Sequence, residues 1–247
     1  MMNDGMMEVL YEDNHIIAVN KTCNEIVQGD KTGDTPLSET VKAYIKAKYN
    51  KPGEVFLGVT HRLDRPTSGV VLFARTSKAL TRLNEMFREK SQITNHPSPI
   101  TKTYWAIVQG CPKQAEARLE NWLTRNEKLN KSFIAKPGAK EAKQAVLSYT
   151  TLEKGDRYTL LEVNLETGRH HQIRCQLAAI GCPIKGDLKY GAKRSNPDGG
   201  ICLHARRIEF IHPVSKQPIC ITAPVPDGFP LRGPEQNPAV AKADGGA

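Results

Sequence analysis

The chain has 247 residues, with 35 lysines and arginines against 26 aspartates and glutamates, a formal net charge of +9 and a pI near 9.2. Apolar residues make up 39% and charged residues 25%, and the mean hydropathy is −0.47, so the composition describes a soluble protein with enough apolar matter for a core. No apolar run approaches the about 20 residues that cross a bilayer, which excludes a helical membrane protein, and the basic balance favours a polyanionic partner, nucleic acid first.

Residues 1–7 read as a flexible leader. They lack a basic region followed by an apolar one and are too acidic for a transit peptide, so a cytoplasmic location is expected. Residues 8–21 predict two short strands around a polar turn at 12–14, with His15 a turn residue rather than a ligand. Residues 28–36 form a Gly- and Asp-containing loop. Leu37, Val41, Tyr44, Ile45 and Tyr49 are spaced for an amphipathic helix over 37–49. Ser38 and Glu39 fit a cap, and Lys42, Lys46 and Lys48 line its wet face.

The most informative stretch follows, residues 59–74. Residues 61–69 are polar and turn-forming, whereas 70–74 are apolar and β-branched and predict a buried strand. A buried strand holds its preceding loop against the protein body, so Asp64 is expected in a fixed loop, flanked by Arg62 and Arg65. Pro66 stiffens that loop and Gly69 permits a turn. A carboxylate held between guanidinium groups stays ionised, as a nucleophile or base requires. Chemistry alone nevertheless favours a structural aspartate in a salt-bridged turn.

Thr76 or Ser77 can cap a second helix running to about residue 89, with Leu80, Leu83 and Phe87 as its apolar stripe. Arg75, Lys78, Arg82, Arg88 and Lys90 make it basic, either as a solvated face or as an RNA-backbone contact. Residues 91–100 predict a loop with an exposed His96, and 102–110 a strand. Residues 119–123 read as a short strand or turn, and 125–143 as a lysine-rich surface loop that is solvated or touches RNA. An antiparallel pair is expected at 144–152 and 158–165, a helix from about His170 closed by Gly181, and a final hairpin from 201–211 and 218–223. From residue 228 the chain reads as a weakly ordered tail. The six cysteines form no C-x-x-C pair and read as reduced, mostly buried thiols.

His61-Arg62-Leu63-Asp64-Arg65-Pro66-Thr67-Ser68-Gly69, followed by Val70-Val71-Leu72-Phe73-Ala74, resembles the catalytic motif of the RluA-type pseudouridine synthase family. Three further segments resemble that family in order. They are K-x-Y-x-A-x-V-x-G at 102–110, L-x-T-G-R-x-H-Q-I-R at 165–174 and P-I-x-G-D-x-x-Y-G at 183–191. The family's Lys-Pro-x-Gly after the second strand is replaced here by Lys21-Thr22-Cys23-Asn24, and its usual Val-His after the motif arginine by Cys175-Gln176.

The resemblance implies one α+β catalytic domain over residues 8–227, with a bent, mixed, mostly antiparallel sheet and flanking helices and loops. It implies that Asp64 is the catalytic aspartate, Tyr104 the active-site tyrosine and Arg174 the arginine that pairs with Asp64. Arg62, Leu203, His61 and Arg65 are the implied RNA- or base-binding residues. The implied reaction isomerises uridine to pseudouridine in ribosomal or transfer RNA by base flipping, in a monomer without metal, small-molecule cofactor or membrane. A rival is a non-catalytic RNA-binding or ribosome-assembly protein on the same fold. Another is a metal-dependent nuclease built on His61, His170 and His171. It is disfavoured because adjacent helical histidines point about 100° apart and no H-E-x-x-H occurs.

Overall fold

The structure is a computed structural model, and it describes residues 7–90 and 99–233. The expected leader, the loop at 91–100 with His96 and the tail from 228 therefore lie outside the described residues, except at their edges. The described chain divides into two compact units, residues up to Lys102 with Ala205–Pro224, and Thr103–His204 with the chain from Val225.

The first unit opens with β1 (Glu8–Glu12) and β2 (Ile16–Lys21), followed by α1 (Leu37–Lys48), β3 (Gly58–Val59), β4 (Ser68–Ala74) and α2 (Ser77–Lys90). Then come β5 (Ile100–Gln109), β6 (Glu116–Asn126), β7 (Lys131–Ala135), β8 (Lys143–Lys154) and β9 (Tyr158–Leu165). The chain ends with α3 (Gln172–Ala179), a 3₁₀ turn (Leu188–Tyr190), β10 (Leu203–Ile211) and β11 (Pro218–Thr222). In the first unit the strand order is β1-β2-β4-β10, with β3 on β4 and β11 on β10. In the second it is β5-β9-β8-β6-β7. The ladders β1–β2, β2–β4, β3–β4 and β10–β11 are antiparallel, as are β5–β9, β8–β9, β6–β8 and β6–β7. This is the expected α+β class with a mostly antiparallel sheet.

Every residue of β4 is buried, as its continuous apolar run requires. Ile16, Ala18, Val70, Leu72 and Ala74 of the sheet pack with Ala79 and Leu83 of α2 and with Ile208, Phe210 and Ile221. Thr76 caps α2 as expected, its Oγ1 accepting the Ala79 N–H at 3.2 Å. The capping expected of Ser38 and Glu39 does not occur: Pro36 occupies the cap position of α1, without a side-chain cap bond. Lys48 is exposed as expected, and from there it reaches the buried Glu12 carboxylate at 2.6 Å.

The largest departure from the sequence reading is at 116–135. The expected short strand is eleven residues long, and the expected surface loop contains β7, paired to β6 from Trp122 opposite Ala135 to Asn126 opposite Lys131. β6 carries no β-branched residue until Thr124, so propensity hid it. Its signal was the alternation of exposed Glu116, Arg118 and Glu120 with half-buried Ala117 and Leu119. A second correction concerns residues 228–233. Phe229 is buried and the Gly233 N–H donates to Glu153 at 3.0 Å, so this part of the supposed tail is docked.

Candidate active site

The ladder between β2 and β4 ends with Lys21 opposite Gly69. Lys21 is fully buried. Its ammonium lies beneath the turn that carries Asp64 and donates to the carbonyls of Thr22 (2.9 Å), Arg65 (2.9 Å) and Thr67 (2.6 Å), with the Asp64 carbonyl at 3.4 Å. Burial pulls the Lys21 ammonium down to about 8, against the opposing influence of Glu25, Cys23 and Asp64. The same turn is closed by Thr67 N–H to the Asp64 carbonyl and by Asn24 N–H to the Arg65 carbonyl, both 3.0 Å.

Both ends of the turn are pinned to their neighbours. On the entry side β3 pairs with β4 through Gly58 and Val59, and the next two side chains continue that ladder. Thr60 Oγ1 donates to the Leu72 carbonyl, and His61 Nε2 accepts the Leu72 N–H at 3.0 Å. On the exit side Gly69 has φ +114°, and a Cβ there would lie 2.3 Å from the Ala205 carbonyl oxygen, so only glycine fits. Asp64 thus sits half-buried on a turn whose main chain is held from below and at both ends.

Two of the expected base-binding residues have partners within the protein. Arg65 does not flank the Asp64 carboxylate as a counter-charge. Its guanidinium pairs with Asp34 (2.7 Å) and Asp30 (3.7 Å) and donates to Thr32 Oγ1 (2.8 Å), tying down the loop that precedes α1. His61 turns inward, its ring stacked near Phe87 with centroids 4.9 Å apart. Burial, with the charge of Lys102, pushes it down to about 3, so it is a neutral acceptor that anchors the loop. Arg62 is exposed.

In the second unit Tyr104 lies on β5 opposite Val163 and is almost wholly buried. Arg174 lies on α3, buried on nearly every side, and forms a two-point ion pair with Asp187: Nε to Oδ2 at 2.7 Å and Nη2 to Oδ1 at 2.9 Å. Asp187 is 1% exposed. The guanidinium also lies over the Tyr190 ring, 5.1 Å from its centroid. The Tyr190 hydroxyl accepts the Ser132 N–H at 2.8 Å and bonds His171 Nδ1 at 3.0 Å.

His171 is left-handed, φ +51°, which starts α3 at Gln172 rather than at His170. Its ring stacks on that of His170, centroids 3.8 Å apart, and burial, reinforced by Arg174 and neighbouring cations, pushes it down to about 2. Gln172 closes the motif loop, accepting from Thr167 Oγ1 (2.8 Å) and Arg169 N–H (2.9 Å). The family-variant Gln176 is fully buried and its amide donates to Asn121 Oδ1 at 2.8 Å and to the carbonyls of Leu119 and Ala145 at 3.2 Å. Of the expected core-facing residues, Ile173 and Leu177 are buried but Ile180 is 38% exposed. Leu203, the expected apolar contact for the base, is buried at the start of β10.

His170 bonds Ser132 and Asn130, and among the described residues no group of three or more His, Cys, Asp or Glu is arranged to hold a metal ion. The sequence reading took the turn that carries Asp187 and Tyr190 as structural lining of the cleft and gave Lys21 no role. Their signals were a lysine ending an otherwise apolar strand, and the Asp and Tyr of the G-D-x-x-Y-G turn.

A family model described as RNA pseudouridylate synthase matches residues 15–179. That span holds Asp64, Tyr104 and Arg174 and leaves out Asp187, Tyr190 and Leu203. The ribosomal large subunit pseudouridine synthase D of Xanthomonas campestris is 32% identical over 237 residues, 91% of this chain and 67% of that protein. The uncharacterized RNA pseudouridine synthase YlyB of Bacillus subtilis is 30% identical over 226 residues, 90% of this chain and 70% of that protein. In fold, the structure is similar to human RNA pseudouridylate synthase domain containing 4, with a TM-score of 0.72 at 22% identity, covering 90% of both chains. The chain belongs to the RNA pseudouridylate synthase family. It is an RNA pseudouridine synthase, an isomerase.

Proposed function

We propose that this chain isomerises uridine within ribosomal RNA, with Asp64 as its essential residue. The reaction breaks the N1–C1′ bond, turns the uracil and joins C5 to C1′; the C5 hydrogen leaves as a proton and N1 gains one. No electron enters or leaves, so the chemistry calls for no redox cofactor. The base must leave its stack first, at a cost of a few kcal/mol. Exposed Arg62 fills the vacated space, and buried Tyr104 contacts the flipped ring. By the family pattern Arg174 is the arginine that serves the catalytic aspartate, and Asp187 holds that arginine at two points.

The observation that carries this reading is the turn around Asp64. A buried lysine is spent on main-chain carbonyls to hold this turn, in a sequence matching the family model. A carboxylate that must meet one atom of a flipped base needs such a fixed backbone. Ribosomal rather than transfer RNA is favoured because the named large-subunit relatives resemble the chain over most of its length.

Tritium release from RNA labelled at C5 of uridine tests the reading, with ribosomal and transfer RNA offered separately, with and without EDTA. Wild type should release tritium from ribosomal RNA whether or not EDTA is present, and Asp64→Asn should release none while still binding. Turnover by Asp64→Asn would overturn the role of Asp64. Release from transfer RNA alone would overturn the substrate class.

A further inference from the structure

Residues 225–233 carry Pro226, Gly228, Pro230 and Gly233, which break any helix or strand period. In the fold they form a strap on the second unit. Asp227 and Gly228 make the corner of a turn, closed by the Phe229 N–H on the Pro226 carbonyl at 3.1 Å. Every fourth residue of the strap is buried: Val225, Phe229 and Gly233.

The strap meets two side chains that stand next in sequence to expected contacts for the base. Phe229 lies edge-on to the buried ring of His204, centroids 6.0 Å apart and planes at 72°, and His204 directly follows Leu203. Gly233, with φ +71°, lies against Trp105, which directly follows Tyr104. A Cβ at position 233 would stand 2.9 Å from Trp105 Cη2 and 3.3 Å from Leu160 Cδ2, so the bare main chain is what fills that gap. The Glu153 that receives the Gly233 N–H is paired with Leu160 across the β8–β9 ladder.

Successive residues of a strand point to opposite faces. Trp105 and His204 both touch the strap, so Tyr104 and Leu203 point away from it, to the other side. The Ile107 N–H bonds the Cys202 carbonyl at 2.9 Å, which ties the two segments together. The strap therefore backs the pair of side chains expected at the base without touching either.

We propose that Phe229 and Gly233 are positioning residues for the isomerisation. Phe229 fixes Leu203 through His204, and Gly233 fixes Tyr104 through Trp105. The proposal rests on the reading of Tyr104 and Leu203 as the residues that meet the flipped ring. A reacting ring must be held closely, and a misplacement of about 1 Å costs on the order of 100-fold in rate.

The test reads kcat for tritium release at saturating ribosomal RNA, the dissociation constant for the same RNA, and acrylamide quenching of Trp105. Quenching is measured in a Trp122→Phe background, where Trp105 is the sole tryptophan. Phe229→Ala and Gly233→Val should each lower kcat about 10- to 100-fold while the dissociation constant moves less than about twofold. Gly233→Val should also make Trp105 easier to quench. Phe229→Leu, which keeps an apolar body against His204, should restore most of kcat. Leu83→Ala, a buried truncation in α2 of the first unit, should leave kcat within about twofold below its unfolding temperature. Because Phe229 acts through Leu203, adding Phe229→Ala to Leu203→Ala should slow the enzyme by no more than about twofold further.

A Trp105 that becomes quenchable with kcat unchanged overturns the proposal. So do equal losses of kcat and RNA affinity, or effects of Phe229→Ala and Leu203→Ala that multiply. If Phe229→Ala fails to fold, Gly233→Ala carries the test, and easier quenching without a lower kcat overturns the proposal. Full turnover by both Leu203→Ala and Tyr104→Ala would instead sink the base-contact reading on which the proposal rests, and wild type that releases no tritium would sink the enzymatic one.

Discussion

The two regions that carry the motif residues are held in opposite ways. The Asp64 turn is held through its main chain: one buried lysine and a few N–H groups grip carbonyls, and Gly69 is needed for its positive φ and for want of space. The Arg174 region is held through side chains. Asp187, Tyr190 and His171 each present a particular side-chain atom, and the Ser132 N–H meets the Tyr190 hydroxyl. Main-chain anchoring tolerates changes of side chain, which is why Thr22, Cys23 and Asn24 can stand where the family pattern has Pro and Gly while the Asn24 N–H still bonds the turn. A side-chain network has no such latitude, because each substitution leaves a buried polar partner unmet.

The contrast is open to direct tests. Asp187→Ala should have the largest effect on stability, about 3–5 kcal/mol by urea unfolding, since it strands a buried guanidinium. Arg174→Met/Asp187→Leu should recover most of that loss yet stay inactive in tritium release. A double variant as unstable as the single would show that the pair holds the fold by more than mutual neutralisation.

Lys21→Met should cost less, about 1–3 kcal/mol, because it unmakes hydrogen bonds to carbonyls without stranding a charge. It should lower turnover more than RNA binding. Lys21 also sets an alkaline signature. Between about pH 8 and its unfolded value near 10.5 the unfolded chain holds a proton that the folded chain has lost. This group therefore makes unfolding free energy rise with pH in that window.

Acid should act on both regions together. His61 and His171 are pushed down to about 3 and about 2 by burial. Below pH 6.5 the unfolded chain takes up protons that the folded chain refuses. Stability then falls, steepening to about 1.4 kcal/mol per pH unit for each histidine. His61→Gln, measured by urea unfolding from pH 7 to 4, should remove one of the two contributions; an unchanged slope would show that His61 is not held neutral. The smallest effect is expected of Arg65→Gln. Its ion pairs with Asp30 and Asp34 are exposed at the surface, so less than about 1 kcal/mol should be lost.

Much of this protein was legible in the one-dimensional pattern. The buried strand β4 followed from a run of β-branched and apolar residues, and α1 and α2 from apolar spacing. The closing hairpin followed from two runs around a turn. Each depends on contacts close in sequence or on the simple demand that apolar side chains be buried. Asp64, Tyr104 and Arg174 could be named because their motifs are contiguous.

What only the tertiary structure decided is where charges end up. Adjacent residues suggested that Arg65 faced Asp64, but it reaches Asp34 instead, thirty-one positions back. His61, read as a ligand for the base, became an acceptor for the Leu72 N–H. Lys21 found its partners more than forty positions away, and Arg174 found Asp187 across a helix end and a turn. Long charged side chains reach several ångströms in any direction, and a buried charge must be met wherever a partner exists. The partner is therefore set by the folded chain's geometry, whereas burial of an apolar strand is already written in its own run of residues.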